Sequence, residues 1–170
     1  LDALGFDLYT KMLERTIAEI RGDEIEDEIG VSLNLGVDVA IPQEYISETS
    51  QRLRTYKRIS SAESEEVLRR IYTEIEDRYG RIPDSVENLF EYARLRKSAE
   101  EMRIISIDKT ADGLALKFDE KAKVSPEKLM EFIGANEDSN FSPNGILRVK
   151  AETGNIMENA RKVLDKIKSP

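Results

Sequence analysis

Glu74, Asp77 and Arg78 stand three and four residues apart within TEIEDRYGRIPDSVENL, residues 73–89. Carboxylate and guanidinium groups at that spacing share one side of a helix, where they pair with each other or with charges brought from elsewhere. A second set, Arg54, Lys57 and Arg58, repeats the same spacing and suits a phosphate or an acidic partner. Equipment for catalysis is otherwise sparse. The sequence has no histidine and no cysteine, which excludes a Ser–His–Asp triad, a thiolate nucleophile and the usual zinc sites. Paired carboxylates can still do acid–base work. The 34 acidic residues, however, fall in helix-like patterns beside basic ones. The nine glycines are scattered singly, with no phosphate-cradling loop. We therefore expect no catalytic residue, no cofactor site and no metal ligand in this chain.

Composition sets the frame for these charges. Of 170 residues, 39% are hydrophobic and 35% charged, enough for a real core and for extensive solvated faces. The net charge of −8 is uneven: residues 1–48 hold 3 basic and 12 acidic residues, while 49–103 hold 12 and 11 and 104–170 hold 11 and 11. The surplus lies chiefly in GDEIEDEIG, a block that disfavours non-specific binding to phosphate backbones. The lack of cysteine and of any long apolar run points to a cytoplasmic setting. A start at Leu1 leads us to expect a piece of a longer polypeptide.

Three blocks position the charges. In the first, Phe6, Tyr9, Leu13, Ile17 and Ile20 recur at helical spacing, and an acidic linker follows. Val31, Leu33, Leu35, Val37 and Val39 then alternate as a strand that Pro42 ends. The second block is helical. One helix has Ser47, Thr49 or Ser50 as its cap and Leu53, Tyr56 and Ile59 as its stripe. The next is capped by Ser61 or Ser64, carries Leu68, Ile71, Tyr72, Ile75 and Tyr79 inward, and closes at Gly80 in the left-handed conformation. Glu74 and Asp77 fall on its flank and back. A third helix, capped by Asp84 or Ser85, is apolar on two sides, with Val86, Leu89, Phe90 and Ala93 on one and Tyr92, Leu95 and Met102 on the other. That pattern predicts a sandwiched helix. The third block reads as a hairpin turning at Ala111-Asp112-Gly113, a helix started by Ser125-Pro126, a strand in NGILRVKAE, and a closing helix with Ile156, Ala160, Val163, Leu164 and Ile167 inward. The fold class is α+β: three consecutive helices packed on a small mixed or antiparallel sheet with flanking helices. Residues 1–29 read as a connecting helix and acidic linker, and 30–170 as one domain with a helical part over about 47–103 and an α/β part over about 104–170.

For each charged set an ordinary reading stands beside the functional one. Glu74 and Arg78 at i,i+4 make a common exposed pair, worth about 0.3–0.5 kcal/mol. Arg54, Lys57 and Arg58 are also what the wet side of a core helix looks like. Tyr56, Tyr72, Tyr79 and Phe90 lie on apolar stripes and read as core rather than as a stacking platform.

The runs GFDLY, IPQEYISETSQRLRTYKRI and EIEDRYGRIPDSVENLFEYARLR together resemble the C-terminal domain of bacterial transcription-repair coupling factors. The resemblance runs from Gly5 to about Met102 and more loosely to about Phe118; its strongest motifs are Arg52-Leu53-x-x-Tyr56-Lys57-Arg58-Ile59, Asp77-Arg78-Tyr79-Gly80-x-Ile82-Pro83 and Ala93-Arg94-Leu95-Arg96. It implies a parent that is an ATP-driven translocase on double-stranded DNA, with ATP and magnesium in a motor that this chain lacks. Such a parent removes stalled RNA polymerase and recruits UvrA through a UvrB-like domain. It further implies that this segment is an autoinhibitory clamp that folds onto the UvrB-like domain and masks its UvrA-binding surface. By motif, Glu74 and Asp77, with Arg78 adjacent, then become contacts to arginines of that domain. Arg54, Lys57 and Arg58, on their own spacing, stand as a candidate secondary basic surface. The GFDLY helix matches the family's connection from the motor. Two readings remain open beside the clamp: a nucleic-acid-binding module using Arg54, Lys57, Arg58 and Arg94, and a structural or oligomerisation domain.

Overall fold

The computed structural model describes Leu13 and residues 30–122, 124–151 and 154–169. The remainder of the expected first helix, with Phe6, Tyr9, Ile17 and Ile20, and the acidic run before Gly30 lie outside the described residues. The class is α+β, as expected. The described elements run β1 (Ser32–Asn34), α1 (Thr49–Ser60), α2 (Glu65–Tyr79), α3 (Asp84–Glu101), β2 (Ile104–Lys109), β3 (Gly113–Phe118), α4 (Pro126–Ala135), β4 (Asn140–Phe141), β5 (Ile146–Lys150) and α5 (Ile156–Ile167). They divide into two compact units, Val37–Arg94 forming one and residues 30–36 with 95–169 the other.

No side chain caps α1: its N-cap is Glu48, which makes no capping bond, and Ser47, Thr49 and Ser50 do not serve. Arg52 organises this turn instead, donating to the carbonyls of Ile46 at 2.7 Å and Ser47 at 2.9 Å. The inward stripe is also rotated. Thr55, Tyr56 and Ile59 are buried, whereas Leu53 is 40% exposed. The hydroxyl of Thr55 donates to the Gln51 carbonyl at 2.8 Å, which makes its burial tolerable, and residues 52, 55, 56 and 59 then share a face that excludes Leu53 by about 100°.

Helix α2 follows expectation more closely. Ser64 caps it by accepting from the Val67 amide, Glu65 and Glu66 sit in its first turn where the dipole favours them, and Leu68, Ile71 and Ile75 are buried. Tyr72 and Tyr79 are half-buried. Gly80 ends the helix at φ 90° and ψ −165°, a region reserved for glycine yet distinct from the left-handed helical cap expected there. The Tyr45 hydroxyl secures this end by donating to the Gly80 carbonyl at 2.8 Å. Asp84 and Ser85 are not caps, since the first turn of α3 already includes both and Pro83 accepts from the Val86 and Glu87 amides. Both apolar sides of α3 are largely buried, with Val86, Leu89 and Phe90 at 0% exposure and Ala93 half-buried on one, and Tyr92, Leu95 and Met102 just past the helix end at 2% or less on the other.

The second unit holds one five-stranded sheet in the order β1-β2-β3-β5-β4, parallel between β1 and β2 and antiparallel elsewhere. One apolar row crosses it in register: Leu33, Ile107, Leu116, Leu147 and Phe141. The first four are fully buried. Residues one step along, Asn34, Asp108, Ala115, Arg148 and Asn140, make a row on the opposite face that is polar at every place but Ala115, as strand alternation requires. Strand β1 is shorter than its alternation suggested, because Gly36 turns at φ 67° and takes the chain out of the sheet. Ser125 caps α4 with Pro126 behind it, as expected, and Asn155 caps α5. Helices α4 and α5 pack together. In α5, Met157 is buried and Ile156 only half so, a small shift of the expected face.

Two glycines give opposite expectations. A Cβ on Gly113 would lie 1.8 Å from the Val149 carbonyl oxygen, whereas one on Gly134 in α4 meets nothing within 4 Å. Gly113→Ala should lower stability by about 3 kcal/mol or more, and Gly134→Ala should raise it by about 0.5 kcal/mol, measured by denaturant unfolding.

Candidate functional site

The solvent face of α2 is built by the same periodicity that buries its other side. With Leu68, Ile71 and Ile75 turned inward, Glu66, Arg69, Arg70, Thr73, Glu74 and Asp77 line a shallow open groove along the helix. Arg70 closes onto Glu66 at 2.6 Å, one turn back.

Glu74 does not pair with Arg78, as the i,i+4 spacing suggested. Its partner is Arg58 of α1: Nη1 donates to Oε1 at 2.8 Å and Nη2 to Oε2 at 2.6 Å, a fork-on-fork arrangement. The two side chains remain 38% and 53% exposed. Arg58 holds the Glu74 carboxyl below the usual carboxylate range by these hydrogen bonds, and the Arg58 guanidinium is raised in turn. Arg78 lies over the Tyr79 ring, 5.2 Å from its centre. Asp77 is exposed, and no hydrogen bond or ion pair joins its carboxylate to another described residue.

The structure thus brings together two groups that the sequence kept apart. Arg58 belongs with Glu74 and not with a separate basic surface, which leaves Arg54 and Lys57 as exposed cations of α1 without a carboxylate partner among the described residues. Arg94 is likewise committed, at 2.9 Å from Glu65 and 2.7 Å from Glu91. Its hydrogen bond lowers the Glu65 carboxyl. Nothing local signalled the Arg58–Glu74 pair, since its members lie 16 residues apart on different helices. Among the described residues no cluster of three or more acidic side chains is placed to hold a metal ion, and no helix is long and apolar enough to cross a membrane.

Residues 35–129 match the family model described as the TRCF domain. The chain belongs to the TRCF domain family. Its relatives include the transcription-repair-coupling factors of Bacillus subtilis, 34% identical over 134 residues and 77% of this chain, and of Haemophilus influenzae, 31% identical over 138 residues and 78% of it. That of Escherichia coli is 30% identical over 155 residues, 88% of this chain. Those segments amount to 11%, 12% and 13% of the respective relatives, so this TRCF domain spans about an eighth of their length. Its fold resembles a crystal structure of the C-terminal domain of a transcription-repair coupling factor, with a TM-score of 0.70 and 16% identity over 80% of this chain and 90% of that one. The α4–β5–α5 part, for which the sequence offered pattern alone, falls largely beyond the family match, yet the Escherichia coli alignment takes in more of the chain than the family model does.

The depressed Glu74 and Glu65 carboxyls carry a sign. A carboxyl lowered in the folded state adds stability above its unfolded value, about 4.3 for glutamate, and that stability fades as pH falls through the lowered value. In a side-chain NMR titration both should titrate below an unperturbed glutamate, with Glu74 returning towards the unperturbed value in Arg58→Gln while Glu65 stays put.

Proposed function

We propose that this TRCF domain is the regulatory, autoinhibitory clamp of a transcription-repair coupling factor. It docks on a UvrB-like domain of the same polypeptide and masks the surface that UvrA would bind. The parent would be an ATP-dependent translocase on double-stranded DNA that displaces stalled RNA polymerase, with ATP and magnesium held in its motor. The observation that carries this reading is the placement of Asp77, an exposed carboxylate without a described partner, one turn from the half-exposed Glu74. A carboxylate offers about four acceptor positions, so Arg58 leaves Glu74 able to accept from a further guanidinium. Arg78 stands adjacent as a third contact. Rim ion pairs of this kind are directional and individually weak, which suits a latch. Driving a closed state from 1:99 to 99:1 open needs about 5.5 kcal/mol of differential binding, within reach of strain from DNA, polymerase or nucleotide turnover.

The nucleic-acid alternative is weakened, because two of its four cations, Arg58 and Arg94, already face carboxylates. Arg54 and Lys57 remain to it as a secondary basic surface. A structural or oligomerisation role predicts self-association of the chain, which light scattering measures directly.

The test is a binding titration between this domain and the preceding part of its parent. Asp77→Arg combined with Glu74→Arg should leave the fold intact by circular dichroism and weaken association about tenfold or more, since like charges would now meet across the interface. In the full-length parent the same pair should make UvrA binding constitutive. Continued exclusion of UvrA by the doubly reversed protein would count decisively against the clamp.

A further inference from the structure

We infer that Arg58 is an internal competitor that sets the affinity of the Glu74–Asp77 carboxylates for an arginine-bearing partner. The inference rests on the docking reading above and adds the group that regulates it. Arg58 occupies both oxygens of Glu74, at 2.8 and 2.6 Å, in the geometry that an incoming guanidinium would want. Asp77 on the same helix face has no such occupant among the described residues. The two carboxylates are therefore unequal: Asp77 is available at once, and Glu74 becomes fully available only when Arg58 swings away or shares it.

Exposure makes that exchange feasible. With side chains 38% and 53% exposed, Arg58 and Glu74 are hydrated, and breaking their pair leaves neither charge stranded in a dry interior. Arg58 can turn outward into water, beside the exposed Arg54 and Lys57 of the same helix. The helix beneath does not need the pair, because Leu68, Ile71 and Ile75 hold α2 from its other side. The contrast with Glu65 is informative. Its partner Arg94 is only 24% exposed and shared with Glu91, so that carboxylate is far less open to exchange.

The opposite role is also physically sensible: an Arg58 that orients Glu74 for the partner would weaken docking when lost. Affinity separates the two. Association of the domain with the preceding part of its parent is measured for the unaltered chain and for Arg58→Gln, Glu74→Gln, Asp77→Asn and the Arg58→Gln/Glu74→Gln pair. Arg58→Gln keeps a helix-forming side chain, and circular dichroism verifies the fold. It should tighten association about two- to fivefold, the range expected for release of one exposed pair. Glu74→Gln and Asp77→Asn should each weaken it, and in the Glu74→Gln background Arg58→Gln should lose most of its effect. An unchanged or weakened affinity for Arg58→Gln, while the two carboxylate variants still weaken docking, overturns the competitor and leaves the docking face standing. If neither carboxylate variant alters the affinity, the docking face itself is wrong and the competitor falls with it.

Discussion

Arg58 reaches from the last turns of α1 to α2 and donates two N–H groups to the carboxylate of Glu74. The contact is geometrically strong and energetically modest. Both side chains are partly in water, so solvent screens the attraction, and a pair of this kind contributes about 0.2–1 kcal/mol to folding. Its larger effect is on what the surface presents. Pairing cancels one cation of α1 and one carboxylate of α2, leaving Arg54 and Lys57 exposed on the first helix and Glu76, Asp77 and Arg78 exposed on the second. What a partner meets on these helices is the residue of that internal neutralisation, and counting charges along the sequence does not yield it.

Local physics made much of the fold legible. Ser64 and Ser125 lie where a hydroxyl can accept from an amide two or three residues on, and both cap helices. Ile104–Lys109 and Gly113–Phe118 form the hairpin that their alternation and turn residues announced. What the sequence hid was non-local or arose from competition. Leu53 is the better apolar residue, yet Thr55 lies on the buried face because Arg52, Tyr56 and Ile59 fix the helix phase around it. Tyr56 in particular is held inside by the Ile41 amide, which donates to its hydroxyl at 2.5 Å. The candidate site divides in the same way. Exposure of Glu74 and Asp77 follows from periodicity, whereas the Arg58 partnership depends on how two helices meet.

The sheet illustrates how distant segments acquire register. Strand β1 has only three residues and pairs in parallel with β2, more than 70 positions later. A short parallel pair is held weakly by its ladder alone. Two side-chain devices on opposite faces reinforce it. Below, Leu33 stands beside Ile107 in the buried row; above, the Asn34 amide donates to Asp108 at 2.6 Å and the Ser106 hydroxyl donates to the other Asp108 oxygen at 3.0 Å. A slip of one residue would send Leu33 to the polar face and Asn34 into the core, so the two devices enforce one alignment. At the far edge β4 has two residues, too few to offer a long unpaired template to another chain.

Helix α2 separates folding from recognition by rotation about its own axis. The buried residues Leu68, Ile71 and Ile75 account for its place in the helical unit, and the Ser64 cap and the glycine-only turn at Gly80 fix its ends. None of these groups is charged. The charged residues on the other side neither fill the core nor satisfy its backbone, so their identities are free to answer to a partner. A surface of that kind can change its affinity through single side chains without the fold registering it, because each exposed pair is worth a small fraction of the 5–15 kcal/mol that about separates folded from unfolded domains. Arg58 and Glu74 sit where that outer surface joins α1 to α2, so an altered charge there changes what the partner meets and how the two helices are tied, the first effect being the greater.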